Sequence, residues 1–166
     1  MDDPIEVRPV PDVPITERLV ELGLDLQRGP WVAGSAPLSM AMGNDLWIGS
    51  DIDIFLPSRI AQQEMQVTLA NMGANYRGAE GSMIKYALDK RLYHLIGNAY
   101  QDSVEGVFDR IDLTICRIIT NGRLLAARAS SWRDIDERKM KLVGQPNGNT
   151  IGRIMKYQDR GFDLRE

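Results

Sequence analysis

Two aspartates, Asp51 and Asp53 in the run Ser50-Asp51-Ile52-Asp53, are the residues whose types and spacing most directly indicate chemistry. In a β-strand, residues two apart project from the same face about 7 Å apart, so these two carboxylates are predicted to be paired while Ile52 and Ile54 face the core. Two like charges at that distance favour a cation between them, and Mg²⁺ binds protein carboxylates together with substrate phosphates. The alternative is a solvated strand edge that carries two ordinary acids.

A third aspartate, Asp112, lies inside an apolar strand that is predicted over residues 111–119. An acid in such a strand costs free energy unless its charge is compensated. If this strand neighbours the strand of Asp51, Asp112 completes a cluster of three carboxylates. A salt bridge from Asp112 to Arg110 or Arg117 is the alternative.

Upstream of the paired acids, the short apolar strand predicted over residues 31–33 is followed by Gly34 and Ser35. A helix is predicted directly afterwards, over residues 36–42. A strand that passes through Gly-Ser into a helix exposes backbone N–H groups and a hydroxyl to an anion such as a triphosphate. An ordinary strand-to-helix turn is the alternative interpretation.

The last predicted helix, residues 150–160, carries Arg153, Lys156, Tyr157 and Arg160 at helical offsets of 0, 3, 4 and 7, so these side chains share one face. Local cations on that face are what a polyphosphate needs in an otherwise acidic chain. A solvated basic face is the alternative. The apolar residues through which we expect this helix to dock are Ile151, Ile154 and Met155.

The elements that must position these residues form a mixed order of strands and helices. Hydrophobic periodicity predicts strands over residues 31–33, 51–56, 83–88, 92–96 and 111–119, and helices over residues 16–27, 36–42, 101–107, 132–138 and 150–160. A further helix begins at the N-cap Ser58 and ends at Gly73. This order predicts an α+β fold with a central sheet flanked by helices. Prolines at 4, 9, 11 and 14 favour an extended arm over residues 1–14, with a single domain over residues 15–166.

Composition narrows the class of protein. The 166 residues carry a net charge of −3, so the protein has no overall positive field that would attract nucleic acid. A nucleic-acid partner would have to be bound by a local group of cations. One cysteine and one histidine make a zinc site improbable and suit a reducing compartment. No apolar run approaches the roughly 20 residues that span a bilayer, so we expect a cytoplasmic protein without a membrane partner.

Together, the strand that ends in Gly34-Ser35, the acidic strand with Asp51 and Asp53, and the later Asp112 resemble the DNA polymerase beta nucleotidyltransferase superfamily. The resemblance covers about residues 31–119. It implies a nucleotidyltransferase fold with a mixed sheet. It also implies that Asp51 and Asp53 hold two Mg²⁺ ions, for which Mn²⁺ could substitute, and that Asp112 holds the catalytic one. The remaining residues that the resemblance assigns to nucleotide binding are Gly34, Ser35, Ser50, Arg153, Lys156, Tyr157 and Arg160.

The implied reaction moves a nucleoside monophosphate from an NTP, such as ATP, to a hydroxyl and releases pyrophosphate. We expect the acceptor to be an RNA end, such as that of tRNA, or a protein side chain. A nucleotide-binding or regulatory module without catalysis is the alternative from another class, and a toxin or defence component would use the same chemistry. The end of the chain also resembles small nucleotidyltransferase-like proteins, many of them from bacteriophages.

One departure from the superfamily pattern is the spacer of 15 residues between Ser35 and Asp51, in which residues 43–50 form an apparent insert. Trp47, within this insert, could stack on a base, although a buried core tryptophan is the more common case. His94, in a predicted strand, is interpreted as a core histidine and is assigned no role. The oligomeric state is left open.

Overall fold

The computed structural model describes residues 2–11, 13–43 and 50–165, which form an eight-stranded sheet, a two-stranded sheet and six α-helices. In chain order, strands β1 to β10 are Ile5–Pro9, Trp31–Ala33, Ile52–Phe55, Asn75–Glu80, Met83–Leu88, Arg91–Ile96, Ile118–Thr120, Leu124–Arg128, Lys139–Met140 and Asp163–Leu164. Helices α1 to α6 are Thr16–Glu21, Ser35–Ala41, Arg59–Asn71, Val104–Asp109, Ala129–Glu137 and Thr150–Asp159. Within these described residues, none of the helices combines the length and apolarity needed to cross a membrane.

The large sheet has the strand order β1-β8-β7-β2-β3-β6-β5-β4. Its neighbouring strands are antiparallel, except that β3 and β6 run parallel. The sheet is therefore mixed, and the predicted α+β fold with a central sheet flanked by helices is confirmed.

The two faces of the sheet follow from the alternation of side chains along its central strands. Ile52 and Ile54 of β3 are 0% exposed and belong to a core that includes Leu38 of α2 and Leu69 of α3. On the opposite face, a smaller cluster surrounds Trp31 of β2 and includes Phe108 of α4. Odd-numbered residues at the start of β3 therefore face away from the main core.

Helix α3 begins and ends where the sequence predicts. The Ser58 side chain accepts a hydrogen bond of 3.1 Å from the backbone N–H of Ala61, which caps the helix. Gly73, with φ of 90°, follows its last turn in the conformation that glycine adopts most readily.

The prediction of one continuous strand over residues 111–119 is wrong. Leu113 makes a single bridge to Leu142, Thr114–Cys116 form a turn of 3-10 helix, and β7 starts only at Ile118. Hydrogen bonds with distant residues explain the break: the backbone N–H of Thr114 donates to the carbonyl of Lys141, and its hydroxyl donates to Asp134. Residue types that favour strands are overridden here by tertiary contacts.

Two further predictions are corrected near the N-terminus. The helix predicted over 16–27 ends at Glu21, because the Asp25 carboxylate accepts hydrogen bonds from the backbone N–H groups of Gln27 and Arg28 and forms a turn. The proline-rich segment is extended, as expected, but it forms the regular edge strand β1, paired with β8. Pro9 is tolerated at the end of an edge strand, where a missing N–H costs little.

Candidate active site

Asp51 and Asp53 lie on one open face of the sheet at the start of β3. The pleat of the strand directs Ile52 and Ile54 into the core, whereas each aspartate side chain is 39% exposed. The two carboxylates therefore face the same side and are accessible to a ligand.

His94 lies beside both carboxylates, because the parallel register of β3 and β6 pairs His94 with Asp53. Its Nδ1 is 3.3 Å from Oδ1 of Asp53, and its Nε2 is 3.5 Å from Oδ2 of Asp51. The hydrogen bond to Asp53 raises the pKa of His94 above its usual value, although burial of the imidazole opposes this change. A protonated His94 offsets part of the negative charge of the two acids.

From the sequence, His94 was interpreted as a core histidine without a role. That interpretation did not predict its contact with the two aspartates. The imidazole is only 12% exposed, but it is buried against the acids rather than among apolar side chains. No local pattern could have indicated this, since the contact depends on the pairing of β3 with a strand that lies beyond α3, β4 and β5.

Gly34 and Ser35 lie next to the acids, because Ala33 pairs with Asp53 across β2 and β3. Gly34 has φ of 90° and immediately precedes α2, whose first residue is Ser35. The N–H of Gly34 donates to the carbonyl of Ile118 at 3.3 Å. The backbone donors left for an anion are therefore the N–H groups of Ser35 and Ala36 in the first turn of α2, since Pro37 has no N–H and that of Leu38 donates to Gly34.

Asp112 is buried, and its carboxylate is bound by helix α6. Arg153 donates to it through both Nε and Nη2, and the hydroxyl of Thr150 donates at 2.8 Å. Burial alone would raise the pKa of Asp112, but the hydrogen bonds from Arg153 and Thr150 outweigh it and lower the pKa below its usual value. The salt-bridge partner is therefore Arg153, and not Arg110 or Arg117, which were the alternatives from the sequence.

Helix α6 was expected to dock through Ile151, Ile154 and Met155; Ile154 packs against the main core, but the expectation is wrong for the other two. Ile151 is 73% exposed and Met155 is 59% exposed, whereas the opposite side of the helix faces the carboxylates. The attraction between Arg153 and Asp112 gives the physical reason for this orientation.

The other residues of the predicted basic face lie along the same side of α6. Burial lowers the pKa of Lys156, and Nη2 of Arg160 is 3.5 Å from the hydroxyl of Ser50. Tyr157 is only 2% exposed and packs edge-to-face against Phe162. It therefore belongs to the core and also lines the cavity described next. Burial also raises the pKa of Tyr157 well above its usual value.

A cavity of about 240 Å³ brings most of these residues together. Acidic side chains and cations from α6 line it together, so it is suited to a bound group that contains both positive and negative charge. Among its lining residues are Gly34, Ser35, Asp53, Asp112, Arg153, Lys156 and Tyr157. The insert residues 44–49, with Trp47, lie outside the described residues.

The oxygen ligands of Asp51 and Asp53 fit a hard divalent cation such as Mg²⁺, because both carboxylates are exposed on one face. Within the described ranges, no group of three or more His, Cys, Asp or Glu side chains is arranged to hold a metal ion. The three-carboxylate cluster therefore stays a prediction. Asp51 and Asp53 form a pair on one face of the sheet, and Asp112 is bound by Arg153.

Comparison with known proteins gives no matching family model and no matching curated protein. Solved structures do match. A tRNA-processing enzyme in its apo form I has a TM-score of 0.67 and 17% identity, over 95% of this chain and 46% of its own. A CCA-adding enzyme in complex with ATP has a TM-score of 0.67 and 13% identity, over 100% and 43%.

The Thermotoga maritima CCA-adding enzyme complexed with tRNA has a TM-score of 0.66 and 14% identity, over 100% of this chain and 44% of its own. The chain thus spans less than half the length of these structures. At such identities the similarity concerns the backbone fold and the order of its elements. The chain has a nucleotidyltransferase fold, and its cavity is lined by Asp53 of β3 and by Arg153 and Lys156 of α6.

Proposed function

We propose that this chain is a metal-dependent nucleotidyltransferase that transfers a nucleoside monophosphate from an NTP to a hydroxyl and releases pyrophosphate. The observation that carries the proposal is the placement of Asp51 and Asp53 on one open face of β3, where Asp53 borders a cavity that Ser35 and Lys156 also line. A paired-acid site opposite cations matches the charge distribution of a metal-bound polyphosphate.

In this proposal, Asp51 and Asp53 hold Mg²⁺, with Mn²⁺ as a possible substitute. Two such ions, when bound, stabilise the attacking and leaving oxygens of an in-line displacement at phosphorus. The chain's own residues orient the substrate: the first-turn N–H groups of α2 and the hydroxyl of Ser35 face the terminal phosphates, and Lys156 neutralises their charge.

Arg160 and Ser50, whose side chains are 3.5 Å apart, are proposed to complete the phosphate-binding side. Tyr157 supports this side from the core. Asp112 is proposed as the third carboxylate, near the attacking hydroxyl. Since Arg153 lines the same cavity and binds Asp112, we propose that its guanidinium passes from Asp112 to the polyphosphate when substrate binds.

We propose an RNA end, such as that of tRNA, as the acceptor. Support comes from structures with the same fold that are described as complexes of CCA-adding enzymes with tRNA and of a tRNA nucleotidyltransferase with a primer tRNA and an ATP analogue. The second candidate is a nucleotide-binding module without catalysis, which the engagement of Asp112 by Arg153 favours.

The decisive experiment incubates the purified protein with α-labelled NTPs, Mg²⁺ or Mn²⁺, and total tRNA, and compares it with Asp53→Asn. This variant keeps the size of the side chain but removes its charge, and we expect a loss of label transfer of at least about 100-fold, since metal-bound charge stabilisation supplies several kcal/mol. The matched control is Asp102→Asn, which changes an exposed aspartate outside the cavity and should transfer label normally.

Equal labelling by the wild type and Asp53→Asn would refute the assignment of the site. If the wild type binds NTP but transfers label to no RNA or protein in a lysate, the catalytic proposal fails and the binding module is favoured. The chemical nature of the labelled product identifies the acceptor.

A further inference from the structure

A cavity of about 370 Å³ lies at one end of the large sheet, where a turn joins β5 to β6, and we call it the sheet-end cavity. Three cations and one acid line it, and the acid, Asp89, accepts a hydrogen bond of 2.6 Å from Arg18. The other two cations, Arg77 and Lys90, are exposed and have no carboxylate partner among the described residues. A chain whose net charge is −3 therefore concentrates uncompensated positive charge in this cavity.

The backbone holds Lys90 at this cavity in a conformation that is costly for a lysine. Asp89 and Lys90 form the whole turn between β5 and β6, with φ of 53° and 65°. Glycine is favoured at such positions, because a Cβ disfavours the left-handed conformation. The lysine thus makes the turn less stable than glycine would, and the charge that it brings to the cavity gives a functional reason for its presence.

Arg77 also lies at an irregularity of the backbone. The register between β4 and β5 shifts between Tyr76 and Ala79, where Gly78 has φ of 101°. A bulge of this kind bends the strand and changes the direction of its side chains. Both uncompensated cations of the sheet-end cavity therefore belong to segments that depart from ordinary strand geometry.

The sheet-end cavity and the paired acids share one face of the sheet. Asn75 and Ala87, which pair across β4 and β5, lie in the wall of the cavity. Lys85 pairs with His94, and His94 pairs with Asp53. Since Ala87 is two residues from Lys85, it lies on the same face as Asp53.

The cavity is also close to the acids along the strands. The parallel register pairs Tyr93 with Ile52, so the residues that precede them, Leu92 and Asp51, lie side by side. Lys90 precedes Leu92 by two residues, and at about 3.3 Å per residue and about 4.8 Å between strands its backbone lies about 10 Å from that of Asp51. A nucleic-acid strand that ends at the acids can therefore place a phosphate in the cavity.

We propose that the sheet-end cavity binds a backbone phosphate of the acceptor RNA, a few nucleotides from the hydroxyl that receives the new nucleotide. Arg77 and Lys90 supply the local positive charge by which an acidic protein can hold nucleic acid. A phosphate contact of this kind fixes the position of the strand and carries no sequence information. This inference rests on the proposed function, since its ligand is the acceptor of the same reaction.

The test measures the binding of a single-stranded RNA of about 12 nucleotides, a length within the usual site sizes for single strands, by fluorescence anisotropy without NTP. Lys90→Gly removes the charge and gives the turn its favoured residue. We expect this variant to bind the RNA about fivefold more weakly or worse. The slope of log affinity against log salt should fall by about 0.7, the value for one phosphate contact to a single strand. The midpoint of its urea unfolding should be higher than that of the wild type.

Arg77→Gln is the second variant and should change RNA affinity and salt slope in the same direction. The matched control is Arg123→Gln, which removes an exposed cation from the turn between β7 and β8, outside both cavities. It should bind the RNA as the wild type does. Inorganic phosphate should displace the RNA no more than chloride of equal ionic strength, which distinguishes an RNA phosphate from the free anion.

Wild-type affinity and salt slope in both Lys90→Gly and Arg77→Gln, with label transfer to RNA that Asp53→Asn abolishes, would overturn this inference and leave the proposed function standing. The same conclusion would follow if inorganic phosphate displaced the RNA, or if label went to a protein and the wild type bound no RNA. A Lys90→Gly variant less stable than the wild type would assign the lysine to the fold. Absence of label transfer to any RNA or protein would refute the proposed function, on which the inference rests.

Discussion

At the scale of single residues, Asp112 shows how a buried acid is kept ionised in this protein. Its side chain is 10% exposed, and it accepts the fork of Arg153 and the hydroxyl of Thr150. Charge-assisted bonds of this kind are stronger than neutral ones, and they offset the cost of removing the carboxylate from water. The result is a link between α6 and the segment that precedes β7.

The Asp112→Asn variant tests this link through the pH dependence of stability. Because the folded-state pKa of Asp112 is lowered, its contribution to stability is present above the unfolded-state pKa of about 3.9 and is lost as the pH falls through the folded-state value. We expect the variant to lower the free energy of unfolding by about 2 kcal/mol at neutral pH.

The measurement is urea unfolding of both proteins across a series of pH values. The difference between wild type and Asp112→Asn should be constant near neutrality and should shrink below about pH 4. A difference that persists undiminished at lower pH would mean that Arg153 does not stabilise the ionised carboxylate.

The residues that could be predicted from the sequence are those whose relation is local. The paired orientation of Asp51 and Asp53 follows from the period of a single strand, and the shared face of Arg153 and Lys156 follows from helical spacing. The contact of His94 with both acids could not be predicted, because it depends on which strands are neighbours in the sheet.

At the scale of elements, the stability of the fold is expected to depend on the N-cap of α3. This helix is the longest among the described residues, and it buries Leu69 fully in the core. Ser58→Ala removes the acceptor for the N–H of Ala61 and should lower the free energy of unfolding by about 1 kcal/mol. Ser58→Asp, which restores an acceptor, should regain most of this loss in the same urea titration. A Ser58→Ala variant as stable as the wild type would show that the cap contributes nothing.

The element that sequence periodicity described least well, residues 111–119, shows why local patterns fail near a site. Its β-branched residues favour a strand, but the hydroxyl of Thr114 donates to Asp134, and the backbone of Asp112 accepts from Val143. These contacts turn the chain before β7 and carry Asp112 toward α6. The same strand propensity gave a correct prediction for β3, where neighbouring strands supply partners for an unbroken ladder.

At the scale of the whole molecule, the edge strand β1 joins the sheet to α5. The Arg8 guanidinium binds Asp136 through two hydrogen bonds of 2.9 Å and lies 4.0 Å from the ring centre of Trp132. The indole N–H of Trp132 donates to the carbonyl of Glu6 at 2.9 Å. Although proline-rich, this segment is therefore part of the folded unit.

Deleting residues 1–9 should lower the free energy of unfolding by at least about 2 kcal/mol, because it removes several hydrogen bonds worth about 1 kcal/mol each and exposes β8 and Trp132. A red shift in tryptophan fluorescence should accompany the loss. The comparison variant Arg8→Ala removes only an exposed ion pair and a ring contact, and it should cost about 1 kcal/mol or less. Equal stability of the truncated and full-length proteins would show that β1 is dispensable.

The parallel contact between β3 and β6 divides the large sheet into two antiparallel parts, one that ends at β3 and one that begins at β6. Asp53 belongs to one part and His94 to the other, so the two acids lie at the boundary between the two parts of the sheet. The part that consists of β6, β5 and β4 also supplies Gly81 and Ser82, which line a cavity of about 610 Å³ that shares Phe55 and Arg153 with the smaller cavity beside Asp53. Changes in the length of the turn between β4 and β5 can therefore reshape this cavity while the two carboxylates keep their places.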